Sequence, residues 1–212
     1  LPNIAGGLRN LTINKTGTNN TVTLGGALTI AGNATITAGQ LNTAYDLTFN
    51  GTTSCGGGII NATSGTVDYG VNALNAISGT YNILRKSGGA TATLCGAITV
   101  TNELKLDNGV FSIGDYNLTV GNGATLSTTG VFSASRMVET EGIGYLIKES
   151  TTEAGFEIEY PVGSNGYYSG MDLNGFTATV TGTGNVKVRA IPLSLGADLL
   201  DKYWEIFTTN LS

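Results

Sequence analysis

Five segments of this chain repeat one pattern: LTINKTG at 11–17, LTIAGN at 28–33, LTFNGT at 47–52, ITVTNE at 98–103 and LTVGNG at 118–123. Each runs apolar, threonine, apolar, then a polar corner bearing Gly or Asn. The intervals 11 to 28, 28 to 47 and 98 to 118 fall close to one another, and a period of about twenty residues marks a solenoid. A longer echo links GALTIAGNATITAGQLNTAYDLTFNG at 26–51 with GAITVTNELKLDNGVFSIGDYNLTVGNG at 96–123.

Strand geometry explains the residue types. Alternate side chains face opposite ways, so Leu28 and Ile30 point inward while Thr29 points to solvent. Stacked coils align equivalent positions into ladders. Threonine and asparagine suit the outer ladders because they are uncharged, and like charges in register would repel. Glycine and asparagine supply the corners. The expected fold is all-β, a right-handed parallel β-helix; a long antiparallel sandwich is the alternative this pattern leaves open.

Charge divides the chain. Residues 1–135 carry five basic and five acidic side chains, whereas 136–212 carry five basic and ten acidic ones. In the second part YLIKES (145–150), FEIEYPVG (156–163), FTATVTG (176–182), NVKVRAI (185–191) and YWEIFT (203–208) alternate apolar and polar residues. Turn signals such as GSNG and TGTGN lie between several of them. The reading is a β-helix over 1–135 and a small antiparallel β-sandwich over 136–212, incomplete at its C-terminal end. LGADLLDKYW (195–204) is expected to add one helical turn.

The segments also resemble a known family. YNLTVGNGATL runs into GVFSASRMV, then GFEIEYPVGSNGYYSGMDL leads through NVKVRAI to LDKYWEI. This order resembles the large Bacteroidetes cell-surface proteins exported by the type IX secretion system, including adhesin-like proteins of gliding bacteria. The resemblance implies an extracellular, cell-surface location, passage through an outer-membrane translocon, and surface or substratum glycans or proteins as partners. It brings no catalytic residues with it.

The chemistry available is narrow. The chain has no histidine, which removes Ser-His-Asp and Cys-His nucleophiles and His-ligated zinc. With a net charge of −5 and no basic run, a nucleic-acid partner is not expected. No stretch is apolar enough to span a membrane. LPNIAGG at the start is no signal peptide, and the chain reads as a piece of something larger. Cys55 and Cys95 can form a disulfide or be two small buried residues.

No cofactor or metal is expected, and the protein is read as non-catalytic. Glycan-active β-helices need converging charged groups. Here Asp46, Asp68, Glu103, Asp107 and Asp115 are dispersed, although Glu103 with Asp107, or Asp107 with Asp115, could meet across coils. Glu157 with Glu159, and Glu139 with Glu141, share strand faces and read as wet surface, with calcium capture the alternative. Tyr167 and Tyr168 are candidate glycan contacts; Tyr160, Tyr203 and Trp204 are expected to plug the core. Asn10, Asn33, Asn50, Asn61 and Asn117 begin glycosylation sequons that repeat composition accounts for. An ice-binding face would need Thr21/Thr23, Thr35/Thr37 and Thr99/Thr101 on one flat wall.

Overall fold

The structure, a computed structural model, describes residues 7–175, 177–192 and 202–212. Its backbone is a β-solenoid of about six turns. Three walls surround one continuous core.

The first wall stacks Thr21–Thr23, Gln40–Thr43, Ile59–Ala62, the start of Gly79–Lys86, the start of Ile98–Leu106, Leu118–Val120 and Leu146–Ser150, all in parallel. The second contains Leu28–Ile30, Leu47–Phe49, Thr66–Tyr69, the ends of those two long strands, and Thr125–Ser127. The third begins with Leu11–Asn14, Ala34–Ala38 and Thr53–Ser54. It continues through Asn75–Ala76, Ala92–Leu94, Phe111–Ser112, Val138–Glu139 and Val162–Ser164.

Residues 28–43 are therefore a whole coil, one strand per wall. Gly39 makes the corner between its second and third strands. Its φ of +88° and the carbonyls of Asn20 and Lys15 against its Cα leave no place for a side chain.

Burial follows the ladders. On the first wall Val22, Leu41, Ile60, Gly79, Ile98, Leu118 and Leu146 stand in one inward file. On the second, Leu28, Leu47, Val67, Leu84, Leu104 and Leu126 do the same. Each coil closes only against its neighbours, so the core is built by stacking.

Gly79 interrupts its file because it has φ +139° and presses on the Ile60 backbone. Gly79→Ala is expected to cost about 2–3 kcal/mol, measured as a lowered denaturant midpoint.

The repeat interval is not the coil period. Leu28 does stack on Leu47, and Ile98 on Leu118. Leu11, however, pairs with Ala34 on the third wall and not with Leu28. Apolar–Thr–apolar encodes only an in–out–in strand, and all three walls use it.

Parallel stacking also runs on past residue 135, through Val138–Glu139, Leu146–Ser150 and Val162–Ser164. The antiparallel strands of the last third are built onto these coils. Val180–Pro192 pairs antiparallel with Leu146–Ser150, and Lys202–Leu211 pairs with Val180–Pro192, extending the first wall to nine strands. At ~4.8 Å per strand that wall stands roughly 40 Å tall.

The helical turn expected over 195–204 lies largely outside the described residues; Tyr203 and Trp204 are strand. Among the described residues no helix is long and apolar enough to cross a membrane.

A charged trough as candidate functional site

The outward positions of the second wall bring together four charged side chains, Asp68, Arg85, Glu103 and Lys105. One file runs Thr29, Thr48, Asp68, Arg85, Lys105, Ser127. The adjacent file runs Thr66, Ile83, Glu103, Thr125, with Asp46 bound below it through Thr66 N donating to Oδ1 at 2.8 Å. Between the two files lies an open trough of about 380 Å³ lined by Asp46, Thr48, Thr66, Asp68, Ile83, Arg85, Glu103 and Lys105. Acids that look dispersed along the chain thus share one wall. Unequal coil lengths and a register shift between Tyr81 and Ile83 hide that alignment from any fixed spacing.

The carboxylates are already engaged. Arg85 Nε donates to Asp107 Oδ2 at 2.8 Å, and its Nη1 lies 3.7 Å from Asp68 Oδ2. Ser87 Oγ donates to Asp68 Oδ2 at 2.8 Å, and Ser127 Oγ to Glu103 Oε1 at 2.5 Å. Arg85 is therefore held between carboxylates from the coils below and above it. Asp68 Oδ1 and Asp107 Oδ1 are buried and find no donor among the described residues. Of the expected pairings, Glu103 lies in the strand Ile98–Leu106 and Asp107 directly follows it on the same coil, each with a different partner, whereas Asp115 serves a different corner, accepting from Ile143 N.

Behind this wall lies a feature that the sequence reading missed. Lys86 is fully buried, and its Nζ donates to the carbonyls of Tyr69, Gly70 and Gly88 at 3.1, 3.2 and 2.6 Å. Lys148 repeats the device, donating to Gly121 O and Glu149 O at 2.8 Å each. Lys86 thus adds a donor to corner carbonyls that also accept backbone N–H groups, Tyr69 O from Ser87 and Gly88 and Gly70 O from Ala73, and Lys148 does the same at Gly121 O, which also accepts from Ala124 N. The signal was present: in NILRK, Lys86 stands two residues after the inward Leu84. Burial pulls both pKa values down to about 8, against the opposing charges of Asp68 and Glu149 respectively.

The tyrosine candidates do not form a platform. Tyr167 is 68% exposed, while Tyr168 is half-buried and donates its hydroxyl to Glu159. As successive strand residues they face opposite ways. Glu139 and Glu141 accept from Gly166 N and Asn165 N, gripping the turn beside these tyrosines. Glu157 accepts from Gly175 N.

Tyr160 is buried as expected, but Tyr203 and Trp204 are 45% and 48% exposed. They sit on the last strand, which no further described strand covers, and Trp204 Nε1 reaches only Ser169 O at 2.7 Å. The threonine pairs are also separated: Thr35 lies on the third wall, Thr21 and Thr99 on the first, four strands apart. Among the described residues no three acidic or cysteine side chains converge to hold a metal.

Cys55 and Cys95 are joined in a disulfide with a Cα–Cα distance of 5.2 Å. The bond links coils two apart, since Asn75–Ala76 lies between them on the same wall. The intervening coil is drawn inward there. Tyr69 and Tyr81 hydroxyls contact at 2.9 Å, Ile77 N donates to Tyr69, and Tyr81 donates to Ile77 O. Ile77 is thereby held in the core, and the bridge passes outside it.

Comparison with protein-family models, curated proteins and solved structures finds no match to this chain.

Proposed function

We propose that this chain is a non-catalytic structural and adhesive module of a secreted bacterial surface protein, of the kind exported through the type IX outer-membrane translocon. The observation that carries the reading is the cross-coil disulfide. Such a bond persists in oxidising, extracytoplasmic surroundings, and here it clamps a solenoid that presents a tall, mostly uncharged wall. The outward file Thr23, Asn42, Asn61, Thr80, Thr99, Thr119 offers hydroxyls and amides to a substratum without strong charge. Partners on this reading are surface glycans or proteins.

A polysaccharide-degrading role fits less well. Asp68, Asp107 and Glu103 are tied to Arg85 or Ser127, so these three do not present the free acid and base that cleavage uses.

The test uses beads coated with the protein and held under shear against glass bearing cell-wall glycans. Retention well above albumin-coated beads, with no soluble sugar released, is the expected result. Detachment like the albumin control, or release of reducing sugar, would overturn the reading.

A further inference from the structure

We propose that the trough on the second wall binds a stretch of uncharged glycan chain lying along the solenoid axis. The proposal rests on the adhesive reading and names what such a module would grip.

The lining has the two-sided chemistry a polyol needs. Asp46 and Glu103 offer acceptor oxygens, Thr48 a hydroxyl, and Lys105 an ammonium that has no partner among the described residues. Ile83 lies midway along one side of the trough, between Thr66 and Glu103 in its file. It is the apolar patch on which the C–H face of a pyranose packs. Asp68 also lines the trough, but its Oδ2 is taken by Ser87 and Arg85 and its Oδ1 is shut off from solvent, so it shapes the trough and does not meet the ligand.

Charge and spacing narrow the ligand further. Three carboxylates face two cations in the lining, and Arg85 is already neutralised by Asp68 and Asp107. The trough is therefore net acidic and disfavours uronates, sulfated sugars and phosphates. Successive coils rise by ~4.8 Å, close to the length of one pyranose unit, so equivalent groups recur in step with a linear sugar chain. The volume holds about two such units, and the wall continues beyond them.

The experiment is titration calorimetry of the full chain with the hexaoses of β-1,4-linked glucose, xylose and N-acetylglucosamine, and with hexagalacturonate. At least one neutral hexaose is expected to bind saturably and be recovered intact, while hexagalacturonate does not bind. Lys105→Ala and Glu103→Gln, both surface changes, should each weaken binding about tenfold or more, with Tyr167→Ala unchanged. No binding of any neutral hexaose, preference for hexagalacturonate, or unchanged affinity in both trough variants would overturn the proposal. Bead retention that survives both variants would leave the adhesive reading standing and remove only the trough; hexaose binding without bead retention would do the reverse.

Discussion

Denaturant midpoints measured from neutral pH upward are expected to climb between pH 8 and pH 10 and to fall beyond it. The rise comes from Lys86 and Lys148, whose pKa values fall from 10.5 to about 8 on folding. Between those values the unfolded chain holds a proton that the native state has released, so raising the pH favours the native state. Each lysine should contribute on the order of 2 kcal/mol over that interval.

Above pH 10 the sign reverses. Burial pushes Tyr69, Tyr81 and Tyr160 above their ordinary value of 10.0. Their phenols then ionise in the unfolded chain while staying neutral in the fold. Most proteins lose stability on the alkaline side without first gaining it, which makes the rise diagnostic. Lys86→Met should remove about half of it. A flat profile between pH 8 and 10 would mean that the carbonyl cradles hold both ammonium groups charged against the burial cost.

The buried lysines also show where sequence stops informing structure. In–out alternation was legible: Leu28, Thr29 and Ile30 lie as their pattern demands, and so do Leu47, Thr48 and Phe49. Wall identity was not, because LTI at 28 and ITV at 98 are the same local code on different walls.

The charge step at residue 135 has a local physical counterpart in the structure. Many of the later charges fasten turns and hairpins to the end of the stack: Glu139 and Glu141 hold the 165–166 turn, and Arg189 pairs with Glu205 beside Tyr145. The trough was the least legible feature. Asp46, Asp68, Arg85, Glu103 and Lys105 meet only once coil lengths and the shift after Tyr81 are known. The cysteines were undecidable for a related reason. Their separation of 40 residues spans two coils, and adjacency depends on how Ile77 is drawn inward between them.

Reduction of that disulfide should lower stability by about 4 kcal/mol, the loop-closure value for a ring of this size. Denaturant unfolding with and without a phosphine reductant measures it, and thiol counting under denaturing conditions should find none before reduction and two after. The effect should be larger in consequence than in magnitude, because a solenoid's stability is a sum over neighbouring coils. A bond between adjacent coils would only duplicate a contact that already exists. Cys55–Cys95 instead ties a coil to its next-but-one neighbour and encloses the coil carrying Asn75–Ala76, Tyr69 and Tyr81. Opening of that coil is expected to be opposed while its two neighbours stay joined.

Reduction is accordingly expected to speed amide exchange most at Asn75, Ala76 and Ile77, and least at Leu118–Val120. The trough draws Thr66, Asp68, Ile83 and Arg85 from strands of this same region, so loosening it should misalign the two outward files. Any hexaose binding should weaken on reduction even at temperatures where the chain remains folded. Equal exchange rates in the oxidised and reduced protein would show that strand stacking alone holds this stretch.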